Sequence, residues 1–102
     1  MRDQRGILSS ISKSKDLTDF EKKVLKAVSG IPRGQVRSYG WVSRAIGRPR
    51  SARAVGNALN KNPYAPVVPC HRVVKSDGSI GGYARGVAAK RRLLKAEGID
   101  CV

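Results

Sequence analysis

Ser38-Tyr39-Gly40-Trp41-Val42-Ser43-Arg44-Ala45-Ile46-Gly47-Arg48-Pro49-Arg50-Ser51-Ala52-Arg53-Ala54-Val55-Gly56-Asn57-Ala58-Leu59-Asn60 is the stretch on which the fold turns. Ser38 is placed to cap a helix over Tyr39–Ile46, which Gly47 stops. Trp41 is expected to anchor that helix against the core. Arg48-Pro49-Arg50 makes a turn, and Ser51 is placed to cap a further helix reaching about Asn60. Two short helices joined by a tight Gly/Pro turn, the second rich in Arg and Asn, predict a helix-turn-helix. Such a pattern also arises by chance, so its neighbours must carry weight.

At about 100° per residue, Ala52, Ala54, Val55, Ala58 and Leu59 of the second helix fall on one side. Arg53, Gly56, Asn57 and Asn60 fall on the other. A glycine inside a helix costs about 1 kcal/mol relative to alanine, so Gly56 is either a tolerated glycine on a wet face or a point where another molecule approaches the backbone closely. Arg53 projects beside it.

Working outward towards the N-terminus, Thr18 and Glu21 have the spacing of a capping box. Phe20, Val24, Ala27 and Val28 recur at helical spacing until Gly30 and Pro32 end the helix. A turn over residues 31–35 then leads to a short extended Val36-Arg37. Residues 1–16 read as a loose basic tail, and residues 17–102 as one domain. Towards the C-terminus, Pro63, Pro66 and Pro69 make the chain irregular ahead of Cys70-His71-Arg72-Val73-Val74. Lys75-Ser76-Asp77-Gly78 reads as a turn and Gly81-Gly82-Tyr83 as a pliable loop. A last helix runs over about Val87–Glu97 and stops at Gly98. Its wet side carries Arg91, Arg92 and Lys95. Glu97 falls between Leu93 and Leu94 on the apolar side, where a carboxylate needs a partner. Lys90 is one candidate, and a catalytic group that the carboxylate orients is the other. The expected fold is mostly α: a winged-helix-like helix-turn-helix DNA-binding domain with a short strand or hairpin region and a C-terminal helix.

Bulk properties narrow the function. With 102 residues and 40% hydrophobic content, the chain can bury one modest core and leaves no room for a large interdomain cavity. No apolar run is long enough for a membrane span, and the basic, serine-containing start lacks the apolar centre of a secretory signal. There are 21 Lys plus Arg against 7 Asp plus Glu, a formal charge of +14, and the basic residues are spread through every segment. A compact domain so charged repels itself unless a polyanion is near, which points to nucleic acid as partner. The two cysteines, Cys70 and Cys101, do not form a disulfide framework; free thiols in a reducing interior are expected, cytoplasmic (nucleoid-associated) or nuclear. A monomer without cofactor or metal is expected. One Cys-His pair plus a distant Cys101 does not make a zinc set.

Cys70-His71 is the chemical centre. A thiol becomes a good nucleophile as its thiolate, and a neighbouring base or cationic surroundings favour that form. Side chains of adjacent residues usually diverge, so His71 is expected to act on Cys70 through a water, with Glu97 holding the imidazole from its far side and fixing its tautomer. A buried structural cysteine beside a satisfied histidine is the competing reading. A cysteine hydrolase would need an oxyanion hole and cleft for which the sequence offers little.

Pro69-Cys70-His71-Arg72-Val73-Val74 resembles the active-site signature of the O6-alkylguanine-DNA alkyltransferases. Ser38-Tyr39, Ala52-Arg53-Ala54-Val55-Gly56, Asn62-Pro63, Gly82-Tyr83 and the final helix ending Glu97-Gly98 follow in the family's order, so the likeness runs from about Leu17 to Ile99. The resemblance implies single-turnover transfer of an alkyl group from O6 of guanine in double-stranded DNA to Cys70, with the nucleotide flipped out of the duplex. His71 and Glu97 would complete the relay. Tyr39 would donate to the flipped base, and Asn62 would brace the turn ahead of the active site. The carbonyls of Val73 and Cys70 would read the exocyclic amine of guanine, while Tyr83 and the amide of Ala84 would close the pocket. Arg53 would fill the gap left in the duplex, with Gly56, Asn57, Ser38 and Ala52 also at the DNA. The family places this helix in the minor groove. Its members commonly carry a further N-terminal domain, and some relatives bind the lesion without repairing it, typically with tryptophan at the acceptor position. Cys70 favours transfer over such a sensor. An ordinary sequence-specific regulator is the third reading.

Overall fold

The capping box forms as the sequence predicts. Thr18 Oγ1 accepts from the Glu21 amide at 3.1 Å, and Glu21 Oε1 accepts from the Thr18 amide at 2.9 Å. Two orphan amides are thereby satisfied at the start of a helix over Asp19–Ser29. The computed structural model describes residues 4–62, 64, 68–83 and 85–99. In chain order its elements are α1 (Gln4–Lys13), α2 (Asp19–Ser29), β1 (Arg37–Ser38), α3 (Tyr39–Ala45), α4 (Ala52–Asn60), a 3₁₀ turn (Cys70–Arg72), β2 (Val73–Val74) and α5 (Val87–Ala96).

The helix-turn-helix is α3 and α4, packed on each other and on α2. Ser38 caps α3, its Oγ accepting from the Trp41 amide at 2.9 Å. Ser51 does not cap α4 with its side chain; its carbonyl accepts from the Val55 amide at 2.8 Å instead. Trp41 is also not a core anchor. It is 38% exposed, with the Arg37 guanidinium over its ring at 5.4 Å. Val42 and Ser43 hold the buried side of α3. On α4 the buried residues are Val55, Ala58 and Leu59. Ala52 and Ala54, expected on the apolar side, are exposed; Ala52 falls on the side of α4 that lines an open cleft.

The N-terminal segment departs from the expected loose tail. Residues 4–13 form α1, and Ile11 is fully buried in the same core as Val24, Leu25, Val28, Val55 and Val68. Burying one isoleucine contributes about 1.5–3 kcal/mol, which a ten-residue helix needs, since helices this short are marginal alone. Lys22 Nζ donates to the Ser12 carbonyl at 3.2 Å and pins the following turn.

The strand region is a two-residue parallel pair, Arg37 opposite Val73 and Ser38 opposite Val74. It brings the start of α3 beside the end of the 3₁₀ turn. The chain then tightens through Lys75–Gly78, where the Lys75 amide donates to Ser79 and the Gly78 amide to Lys75. A second small cluster of Val74, Ile80 and Leu94 seats α5, with Val36 and Ile99 against it. No helix among the described residues is long and apolar enough to cross a membrane.

Candidate active site

Cys70 opens the 3₁₀ turn. Its amide donates to the Val68 carbonyl at 2.8 Å. Asn62 fixes the approach to that turn from both ends: its Nδ2 donates to the Val68 carbonyl at 3.0 Å and its Oδ1 accepts from the Tyr64 amide at 2.9 Å. Cys70 itself is 4% exposed and belongs to the main core. Burial pushes its thiol above the ordinary cysteine range, while the Asn62 side chain and the charges of Lys90 and Arg85 pull the other way.

His71 and Glu97 meet directly. Nε2 of His71 lies 2.9 Å from Oε2 of Glu97, and both side chains are buried. Glu97 accepts three further bonds: from Arg72 Nε at 2.9 Å, from Arg72 Nη2 at 2.8 Å and from the Gly34 amide at 3.2 Å. Gly34 takes this position with φ +84, in the left-handed region that favours glycine. Burial raises the Glu97 carboxyl, but the Arg72, His71 and Gly34 hydrogen bonds outweigh it and hold the group at about 2. An ionised Glu97 makes Nε2 the protonated nitrogen of a neutral His71 and leaves Nδ1 as the basic one. Nδ1 is buried and meets no protein hydrogen-bond partner among the described residues. Burial holds His71 below the ordinary histidine value, against the pull of Glu97. That burial favours the neutral imidazole over the charged one.

Of the two partners weighed for Glu97, the structure places His71 against it and not Lys90. Lys90 lies elsewhere, fully buried, with its Nζ donating to the Val73 carbonyl at 2.6 Å and the Gly82 carbonyl at 3.0 Å. Arg72 was not read from the sequence as a site residue. Besides gripping Glu97, it donates through Nη1 to the Ile31 carbonyl at 2.7 Å, tying the end of α2 to the active turn. Its position after His71 in Pro69–Arg72 was the available signal.

Tyr39 and Tyr83 pack against the core cluster that contains Cys70. The Tyr39 hydroxyl donates to the Gly82 carbonyl at 3.4 Å. Gly81, at φ +72, lies so close that a Cβ there would sit 2.9 Å from that hydroxyl. The Tyr83 hydroxyl is buried and meets no hydrogen-bond partner among the described residues. Val73, whose carbonyl was expected to read guanine, has that oxygen held by Lys90, and the Cys70 carbonyl accepts from the Val73 amide. Each retains a second lone pair. Ala84, like Pro63, Pro66 and Cys101, lies outside the described residues.

Tyr39 and Gly82 also line an open cleft of about 570 Å³. One wall is α4, through Ala52, Arg53, Gly56, Asn57 and Asn60; the other is Tyr39, Gly82 and the Lys75-Ser76 turn. The α4 residues recur every three to four positions, which places them along one stripe. A Cβ on Gly56 would lie 3.8 Å from the Tyr39 ring, an ordinary contact, so nothing inside the fold requires glycine there. Ser38 is set apart from the other expected DNA-facing residues, since its hydroxyl is used as the α3 cap. Asn60, placed by the sequence on the same side of α4 as Arg53 and Gly56, lines the cleft as well, while Lys75 and Ser76, read only as part of a turn, are brought there by the parallel strand pair.

Fold and site together define a helix-turn-helix domain in which a buried cysteine directly precedes a buried His71–Glu97 pair. Residues 19–99 match the family described as "6-O-methylguanine DNA methyltransferase, DNA binding domain", and the chain belongs to that family. It is 52% identical over 80 residues to the methylated-DNA–protein-cysteine methyltransferase of Methanosarcina barkeri, covering 78% of this chain and 51% of that protein. Among solved structures it resembles Mycobacterium tuberculosis OGT in complex with DNA, with a TM-score of 0.79, 49% identity, and coverage of 80% of this chain and 50% of that one. It also resembles Schizosaccharomyces pombe Atl1 in complex with damaged DNA containing O6-carboxymethylguanine, with a TM-score of 0.73, 35% identity, and coverage of 82% and 80%. The chain spans about half the length of the curated relatives it matches.

Proposed function

We propose that the chain repairs DNA by taking an alkyl group from O6 of guanine onto Cys70, once per molecule. The observation that carries this reading is the buried His71–Glu97 pair, whose Nδ1 has no partner among the described residues, directly after Cys70 in the chain, together with a cleft lined by Tyr39 and Arg53. The cleft face of α4 lies against the duplex, and Arg53 occupies the place vacated by the flipped nucleotide, offsetting part of an unstacking cost of a few kcal/mol. The Cys70 proton passes through a water to Nδ1 of His71. The thiolate sulfur then attacks the alkyl carbon, the carbon–O6 bond breaks, and its electron pair goes to the base. Tyr39 donates a proton to the departing guanine, so the proton lost by the thiol is matched by one gained by the base. Burial of the thiol makes the unassisted thiolate scarce, which is why the His71–Glu97 pair is required. Double-stranded DNA bearing O6-alkylguanine is the partner, and the protein acts as a monomer.

The resemblance to Atl1 on damaged DNA supports a second reading, a lesion-binding sensor that leaves repair to another pathway. Incubation with a methylguanine-bearing duplex followed by intact-mass and peptide analysis separates the two. One methyl on the peptide containing Cys70 is expected. Tight, damage-selective binding with unmodified protein would reject transfer and leave the sensor.

A further inference from the structure

A lysine with no exposed surface is unusual, because an unpaired buried ammonium is costly. Lys90 is fully buried. Its ammonium sits between two carbonyls on different segments, Val73 of β2 at 2.6 Å and Gly82 of the 81–83 loop at 3.0 Å. The Tyr39 ring centre lies 5.7 Å away. The Gly82 carbonyl thus has two donors, the ammonium and the more distant Tyr39 hydroxyl at 3.4 Å.

This sharing matters because the reading above, on which the present one rests, asks the Tyr39 hydroxyl to turn from Gly82 to a bound base. Gly82 is exposed on the cleft wall, so once the Tyr39 hydroxyl turns away it is the Lys90 hydrogen bond, and not burial, that holds its carbonyl in place. With Lys90 in place Gly82 stays satisfied, and the cleft wall stays attached to β2. We propose that Lys90 is a positioning residue for alkyl transfer: its ammonium joins the Val73 and Gly82 walls of the lesion pocket and so releases the Tyr39 hydroxyl for the base. Among the described residues its charge acts on Cys70, whose thiolate it favours, and on His71, whose protonation it opposes, and it lies over the Tyr39 ring. A neutral side chain of equal length would lose both the bridge and this field.

The test is a double-mutant cycle on single-turnover transfer from a methylguanine duplex, read as Cys70 methylation over time. Lys90→Met should slow transfer about tenfold at saturating DNA, the scale of a charge-assisted hydrogen bond. In a Tyr39→Phe background the same substitution should cost much less, because the hydroxyl it serves is gone. Equal losses in both backgrounds would mean that Lys90 only supports the fold, and would overturn the proposal. A second measurement needs no Lys90 variant. In Tyr39→Phe, hydrogen exchange of the Gly81–Tyr83 amides should match the wild type, since Lys90 still holds Gly82; faster exchange there would overturn it too. If wild-type protein fails to methylate Cys70 while the exchange result holds, the assignment of function fails and the bridging role of Lys90 stands.

Discussion

Replacing Glu97 with glutamine keeps the shape of the side chain and removes its charge, which makes it a sharp probe of the centre. The carboxylate accepts four hydrogen bonds, two of them from the Arg72 guanidinium. Holding it at about 2 rather than the ordinary value of about 4.3 is worth about 3 kcal/mol. That agrees with the roughly 3–5 kcal/mol lost when one member of a buried pair is removed. For a domain of this size the melting temperature should fall by roughly 12–25 °C near neutral pH. Because the folded-state value is depressed, this stabilisation is complete above about pH 4.3 and is lost as the pH falls towards 2. The assay is a pair of thermal melts by circular dichroism, wild type and Glu97→Gln, across that range. The gap should be widest near neutrality and close towards about pH 2, where the wild type also becomes neutral. A gap below about 5 °C near neutral pH, or one that stays constant with pH, would refute the assignment of Glu97 as an ionised hub.

Arg53→Ala should slow repair of a duplex far more than reaction with a free alkylguanine base, because only the duplex needs extrusion; equal losses on both substrates would remove the insertion role. Gly56→Ala should raise the melting stability by about 0.5–1 kcal/mol, since a helix interior favours alanine and a Cβ there meets only an ordinary contact. Duplex affinity, measured by fluorescence anisotropy, should nevertheless fall; unchanged affinity would show that α4 does not lie against DNA at that point. Transfer should also depend on pH through His71. Its folded-state value lies below the ordinary histidine value, so the imidazole is a free base at neutral pH and the rate should fall on acidification with a midpoint below about 6.5. Single-turnover quench at a series of pH values checks this, and a midpoint above the ordinary value would argue against a neutral base.

The sequence made most of the frame legible, for local reasons. Capping residues and helix stops act within one turn, so the Thr18–Glu21 box and the ends of the central helices could be read from neighbours alone. Long-range placement was harder. The parallel pairing of Arg37 with Val73 has no local signature, and with it went the approach of Lys75 and Ser76 to the cleft. The sequence offers Lys90 only as a partner for Glu97; its burial depends instead on two carbonyls that the fold brings from elsewhere. Trp41 shows the opposite error, an apolar ring expected in the core but stacked under Arg37 at the surface. For α1 the signal existed, since Ile7, Leu8 and Ile11 have helical spacing, but it was masked by the serines and basic residues between them. At the site, Cys70, His71 and Glu97 were anticipated, and the structure adds the Arg72 and Gly34 hydrogen bonds that decide which tautomer His71 takes.

The two-residue strand pair has a consequence out of proportion to its size. β1 enters the helix-turn-helix and β2 follows Cys70, so one short seam ties the start of α3 to the turn that carries the proposed acceptor. Closing the long loop between them costs entropy that local helix contacts do not recover. An opening event that parted Arg37 from Val73 would therefore disarm the thiol while leaving the individual helices intact, and inactivation should precede loss of helical signal when the protein is warmed.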